Sequence, residues 1–332
     1  RQNRAHVVWF DNRDGDYDIY YAHESDRGDG FTTAIRINDD KDAPVEVDAL
    51  GEDESAASAG PAFQTLPSLA VDRNGAIYFA WQDYRRNQAD IYFAKSVDGG
   101  KTVTRNLRVN DDVGRAGQLY PSLAVDARGT LYLAWHDFRK GNQDIYFSRS
   151  ADGGQTFSRN IRVNDDSETA GQFNPSLAVD DEGAVYVAWH DLRAGQADIY
   201  FAASRDGGAT FSPNRRLNDD RGEAYQFHPS LGAGKNGAVA AAWEDYRNGQ
   251  ADIYLTYSAD GGRTFRPNVR VNSDRRPVDH LHASLAVGER NELAVSWEDQ
   301  RDDRRDGLSI CQPVRCSDVY ASSLPYVRQP ME

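Results

Sequence analysis

The stretch Ala134–Asp166, AWHDFRKGNQDIYFSRSADGGQTFSRNIRVNDD, decides the fold. It reads as a repeating sentence. An apolar run ends at Trp135 and leaves through W-x-D-x-R; a second apolar run, DIYFS, ends in the acidic turn SADGG; a short run, NIRVN, ends in DD. The same order surrounds Trp9, Trp81, Trp135, Trp189, Trp243 and Trp297, spaced by 72 residues once and by 54 thereafter. Ahead of most copies stands PSLAVD or a variant, a further short apolar strand followed by a Gly-containing turn. Self-similarity at a fixed period is the signature of a repeat architecture. Four short strands per unit and six units predict a six-bladed β-propeller of four-stranded antiparallel blades. One such sheet cannot bury both of its faces alone, but neighbouring blades bury them mutually. The runs IYFA and SLAVD are apolar on both faces, as a sandwiched sheet requires.

The units fall at about residues 1–40, 61–112, 115–166, 169–220, 223–274 and 277–332, with insertions at 41–60 and 302–316, and are read as a single domain over 1–332. The first unit opens at its second strand (AHVVWF) and the last reaches only its third (SDVYASS), so each end is one strand short. Residues 324–329 are a candidate for the missing outer strand of the last blade.

The chain has 332 residues, 39% hydrophobic and 27% charged, with 28 Gly, 17 Tyr, 13 Phe and a single Met. That is the composition of a folded β protein with a sizeable core. A net charge of −14 repels phosphate backbones, so nucleic acid is excluded as a partner. No apolar run reaches the length of a membrane span. A chain beginning at Arg1 reads as a mature or trimmed product. The only cysteines, Cys311 and Cys316, lie five apart in SICQPVRCSD and read as a small loop disulfide. A disulfide implies an oxidising compartment, hence a secreted or surface-exposed protein. Without further ligands the pair is a poor zinc site.

The acidic turn recurs as SVDGGKTV at Ser96, SADGGQTF at Ser150, SRDGGATF at Ser204 and SADGGRTF at Ser258. The pattern S-x-D-x-G-x-T-F resembles the Asp-box, the bacterial neuraminidase repeat of the sialidase-like superfamily. Val103 replaces the aromatic in the first copy, SDRGDGFT at Ser25 is degenerate, and the last blade has none. The resemblance implies a sialidase-like propeller in which each box joins the third and fourth strands, opposite the active face. Asp98, Asp152, Asp206 and Asp260 are therefore expected as structural staples, each carboxylate accepting backbone N–H groups across its own turn.

The opposite face carries the W-x-D-x-R and NDD loops, with Arg13, Arg85, Arg139, Arg193, Arg247 and Arg301 two residues beyond each Asp. Sialidases hold a substrate carboxylate with three arginines, and bidentate Arg suits that task. Arg85, Arg139, Arg193, Arg247 and Arg301 are thus ligand-binding candidates; an arginine in every blade equally suits architectural clasps to nearby Asp. The sequence departs from the sialidase pattern in having no Arg-Ile-Pro near its start. No Tyr and Glu stand out as nucleophile and base either.

The repeats disagree at two positions. Before PSL or ASL stand Leu66, Tyr120, Asn174, His228 and His282; after each Trp stand Phe10, Gln82, His136, His190, Glu244 and Glu298. If these positions oppose one another across the two inner strands, the pairs are Leu66 with Gln82, Tyr120 with His136, Asn174 with His190, His228 with Glu244, and His282 with Glu298. Tyr120, His136 and His190 then join the ligand-binding candidates. Glu244, Glu298, His228 and His282 become catalytic candidates, a cluster able to hold a divalent metal, bond a sugar or transfer protons. A hydrogen-bonded polar channel fits the same residues. Asp11, Asp14, Asp16 and Asp18 in DNRDGDYD form an oxygen-rich loop of the kind that suits Ca²⁺, with solvated loop acids as the other reading; the NDD loops, as at Asn110, Asp111 and Asp112, raise the same question, and no cofactor is required.

Near-identical repetition makes a quasi-symmetric face. The leading reading is an extracellular, non-enzymatic module that binds a glycan or a cell-surface protein. A sialidase-like exo-glycosidase and a structural unit of a surface assembly are the alternatives; fold alone does not choose among them.

Overall fold

The structure, a computed structural model, describes residues 4–40, 63–167, 170–273 and 278–299, together with the backbone of 318–324. The chain divides into two compact units, Arg1–Ile161 and Arg162–Glu332. In the first, His6–Asp11, Asp18–His23 and Ile35–Arg36 form a three-stranded antiparallel sheet. Gln64–Val71, Ile77–Asp83, Asp90–Ser96 and Leu107–Arg108 form a four-stranded one, and Gln118–Val125, Leu131–Asp137, Asp144–Ser150 and Ile161–Arg162 another. In the second unit the four-stranded sheets are Gln172–Val179 to Arg215–Arg216 and Gln226–Ala233 to Val269–Arg270. A three-stranded sheet of His280–Val287, Leu293–Asp299 and Asp318–Leu324 follows. Among the described residues the only helical element is a 3₁₀ turn at Lys235–Gly237. The six sheets fit a six-bladed β-propeller; among the described residues the first and last sheets have three strands each.

The second strand of each full blade is buried along its whole length, as in Ile77–Asp83 and Leu131–Asp137. Adjacent blades share these faces. Tyr78, Ala80, Ile91 and Phe93 pack with Leu123, Leu131, Leu133 and Trp135 in the first unit. In the second, Tyr186, Ile199 and Phe201 pack with Leu231, Ala241 and Trp243. Each large apolar side chain buried this way contributes about 1.5–3 kcal/mol. The Ser of PSL adds a staple between blades: Ser68 Oγ accepts the Leu123 N–H at 3.0 Å and Ser230 Oγ the Leu285 N–H at 3.0 Å.

The acidic turns close the third and fourth strands. Asp152 Oδ1 accepts from Ser150 Oγ at 2.7 Å and from the Gln155 and Thr156 N–H groups at 2.9 and 3.0 Å; Oδ2 accepts from Thr156 Oγ1 at 2.6 Å. Asp98, Asp206 and Asp260 repeat the set. The Thr102 hydroxyl, with the backbone and Ser96 behind it, draws the Asp98 pKa down to about 2. These carboxylates lie at the surface or close to it, not in the core. The paired glycines have separate tasks. A Cβ on Gly154 (φ +85°) would stand 2.3 Å from the Phe93 ring of the preceding blade, and one on Gly262 would stand 2.5 Å from Phe201. Phe157 meets Phe93 edge-on, the centroids 5.2 Å apart, so the turn is anchored on its neighbour.

Two expectations about strand geometry are corrected. The fourth strand is short, a two-residue ladder such as Leu107–Arg108, with the rest of NLRVN outside regular pairing. The inner pair is also offset: Cα partners are Thr65 with Gln82, Leu119 with His136, Phe173 with His190, Phe227 with Glu244 and Leu281 with Glu298. A bulge follows each, in which two residues, such as Leu66 and Pro67, oppose one. Leu66, Tyr120, Asn174, His228 and His282 sit in it at φ 49–55°. Cys311, Cys316, Arg301, residues 325–329 and the insertions at 41–60 and 302–316 lie outside the described residues.

Candidate functional site

The arginines of the W-x-D-x-R loops have internal partners. Arg139 Nη2 donates to Asp137 Oδ2 at 2.7 Å, while its Nη1 donates to Asp111 Oδ1, from the NDD loop of the preceding blade, at 2.7 Å. Its guanidinium carbon lies 4.2 Å from the Tyr146 ring centroid. Asp137 is fully buried and also accepts the Trp135 Nε1–H at 2.9 Å. Arg85, Arg193 and Arg247 repeat the arrangement with Asp83 and Asp39, Asp191 and Asp165, and Asp245 and Asp219. Each of these four faces two carboxylates and a ring. The Asp of DIY is held instead by the fourth strand, as Arg108 Nε holds Asp90 at 2.8 Å and Asn110 Nδ2 donates to it at 2.7 Å.

Three of the four acids of DNRDGDYD, all but Asp16, are likewise dispersed among protein partners. Asp11 accepts from Arg13 and Trp9, Asp14 from the Tyr20 hydroxyl, and the buried Asp18 from Asn38 Nδ2 at 2.6 Å.

The bulge brings three of the variable pairs together despite the offset register, while Gln82 Nε2 donates to Thr65 Oγ1 at 2.7 Å and His190 stacks on Phe173. In the first unit Tyr120 and His136 have ring centroids 5.1 Å apart, and Gln82 Oε1 accepts the Tyr120 N–H at 3.3 Å. Burial lowers the His136 pKa to about 4 and leaves the ring neutral at pH 7. In the second unit the charged residues converge. Glu244, only 2% exposed, accepts the His282 N–H on Oε1 at 2.7 Å. His228 Nδ1 lies 3.1 Å from Glu244 Oε2, and that neighbouring carboxylate raises the His228 pKa against the effect of burial. His282 Nδ1 is 2.8 Å from Glu298 Oε2, and the His228 and His282 rings are 5.7 Å apart. His190 joins edge-on, 6.0 Å from His228, and stacks on Phe173 at 5.1 Å.

Sequence reasoning missed the aromatic shelf beside this cluster. Phe227 is the Cα partner of Glu244, and half-exposed Tyr225 stacks on it with centroids 5.8 Å apart and planes 7° from parallel. The signal was the aromatic pair in YQFHPS, which no other repeat carries in full. The bulge had a signal too. Pro67, Pro121, Pro175 and Pro229 each stand inside an inner strand, and proline within a sheet marks an edge, a strand start or a bulge. A groove of about 870 Å³ in the first unit is lined by Arg85, Tyr92, Lys95, Arg105 and Arg108, among others. Its charged floor belongs largely to the clasps already described, so the convergent polar groups of the second unit are the better candidate.

In fold, the chain resembles propellers of solved sialidases and arabinanases. The intramolecular trans-sialidase of Ruminococcus gnavus, in complex with oseltamivir carboxylate, superposes with a TM-score of 0.60 at 10% identity, over 97% of this chain and 91% of that one. The Penicillium chrysogenum α-L-arabinanase, complexed with arabinobiose, gives 0.55 at 18% identity over 72% and 78%. A Hadza microbial sialidase gives 0.52 at 18% identity over 85% of this chain and 57% of its own. No protein-family model and no curated protein sequence matches the chain. No helix among the described residues is long and apolar enough to cross a membrane.

Proposed function

We propose that this protein is an extracellular carbohydrate-recognising propeller, one domain over 1–332, and that it takes a neutral sugar at the inner-strand ends of its second unit. The observation that carries the reading is the convergence of His228, Glu244, His282 and Glu298 beside the Tyr225–Phe227 shelf. Flat rings offer an apolar face to a sugar ring, and the surrounding carboxylates and imidazoles bond its hydroxyls. The S-x-D-x-G-x-T turns serve as Asp-box staples in this reading. The Cys311–Cys316 loop supports an oxidising location.

Sialic acid is disfavoured on charge. Arg85, Arg139, Arg193 and Arg247 are each bound to two Asp, and the cluster itself holds two carboxylates. A second reading, an exo-glycosidase, draws support from Glu244 and Glu298 meeting the same histidine, since glycoside hydrolysis runs on a carboxyl pair.

A glycan array read alongside turnover of aryl glycosides and a fluorogenic sialoside tests both. Binding of neutral glycans without turnover, lost in Tyr225→Ala, is expected. Turnover abolished in both Glu244→Gln and Glu298→Gln establishes the enzyme instead. Selective binding of sialosides sinks the neutral-sugar reading.

A further inference from the structure

We propose that His228, Glu244 and His282 form a three-ligand site for a divalent first-row transition metal, Zn²⁺ or a chemically similar ion, with an open position toward solvent. One donor atom from each of the three lies within 4.8 Å of the other two, and among the described residues no other group of three such side chains meets that condition. A tetrahedral ion with bonds of about 2.0–2.1 Å needs donors roughly 3.4 Å apart. His228 Nδ1 and Glu244 Oε2 already stand at 3.1 Å, so only His282 has to close in.

Each ligand is prepared for the task. Glu244 is buried and uses Oε1 to accept the His282 backbone N–H at 2.7 Å, which leaves Oε2 facing His228. His228 Nδ1 is buried beside that oxygen, within ion-pair distance but without a hydrogen bond of its own. A buried polar atom without a bond is costly, and an ion between nitrogen and oxygen would satisfy both. Behind His282, the Glu298 carboxylate accepts Nδ1–H at 2.8 Å. This contact holds a metal-binding imidazole in one tautomer, with the lone pair on its other nitrogen.

Two imidazoles and a single carboxylate suit Zn²⁺ and its neighbours better than Ca²⁺, which takes six to eight oxygens. The His282 side chain is 64% exposed, so the remaining position opens to water or to a hydroxyl ligand. The other described blades supply no such set at the matching positions: Leu66 with Gln82, Tyr120 with His136, Asn174 with His190. The backbone is not what differs, since all five bulge residues share φ 49–55°. The side chains alone make the site. The proposal stands whether or not the protein binds a sugar.

The test uses the full chain, stripped with chelator and titrated calorimetrically with Zn²⁺ in the absence of any glycan, with Co²⁺ added in parallel to read its visible ligand-field absorption. One ion per chain is expected. His228→Asn and His282→Asn should each abolish binding; Asn already occupies this position as Asn174 at φ 49°, so the bulge tolerates it and thermal melts verify the fold. Glu298→Gln should weaken affinity about 10–100-fold, as loss of a partner behind a ligand does. His23→Gln, remote in sequence from the site, should change nothing. A wild-type chain that takes up neither ion, or stoichiometric binding that survives in both Asn variants, overturns the proposal.

Discussion

At the scale of single residues, the repeat is explained by what each position must avoid as much as by what it binds. Gly154 answers to Phe93 of the neighbouring blade, and no side chain fits between the turn and that ring. Gly154→Ala combines a positive φ with overpacking and should cost about 2–4 kcal/mol, read from urea unfolding at unchanged slope. The turn carboxylates set an acid limb. Asp98 titrates near 2 in the folded protein and near 3.9 when unfolded, so its contribution is complete above about pH 4. It is lost as the pH falls toward 2; Asp98→Asn should flatten stability across that window and leave it unchanged in shape above. His136 acts at higher pH. Its folded pKa is about 4 against roughly 6.5 unfolded, so protons favour the unfolded chain below pH 6.5. Stability should fall from pH 6.5 down to 4 by this route. The slope should shrink in His136→Gln, which places there the residue that Gln82 supplies in the preceding blade. An unchanged slope in that variant would remove His136 from the account.

The element that recurs with most consequence is the W-x-D-x-R exit. Trp135 Nε1, the Arg139 N–H and the Arg139 guanidinium all converge on the buried Asp137, and Arg139 then reaches Asp111 of the blade before. The motif therefore orders its own loop and ties it to the preceding one. Arg139→Ala leaves Asp137 charged and buried without its partner, a change that costs about 3–5 kcal/mol. Arg13→Ala should cost clearly less, because Arg13 is exposed, Asp11 is only partly buried, and among the described residues Arg13 pairs with Asp11 but with no NDD-loop carboxylate. Equal losses of melting temperature in the two variants would contradict this division. The inner strand is the second informative element. A one-residue bulge brings Tyr120, His228 and His282 against the residue that follows Trp, although the ladder pairs the residue before each of them.

For the molecule as a whole, charge limits the partners. A net charge of −14, with the loop arginines neutralised internally, leaves an electrostatic field that discourages anionic ligands. Neutral glycans should be retained on an array at low salt, and sialylated or sulfated ones should bind more weakly. Raising the salt should narrow that difference by screening. Preference for anionic glycans at low salt would show that charges outside the described residues dominate recognition. The conformational stability should come chiefly from faces shared by adjacent blades, since the second strands are buried on both sides.

Six units, their strand order and the staple role of the acidic turns are all written in the 54-residue period. Apolar alternation and turn chemistry act over a few residues and repeat visibly. The Arg–Asp clasps were legible as one of two readings, because an arginine present in every blade serves architecture more readily than an asymmetric substrate. The register at the inner strands, the aromatic shelf and the meeting of His228, Glu244, His282 and Glu298 came only with the tertiary structure. The contacts of that His and Glu cluster join residues 16 to 38 positions apart, partly across neighbouring blades. Their geometry depends on a bulge that shifts pairing by one residue and thereby decides which side chain faces which.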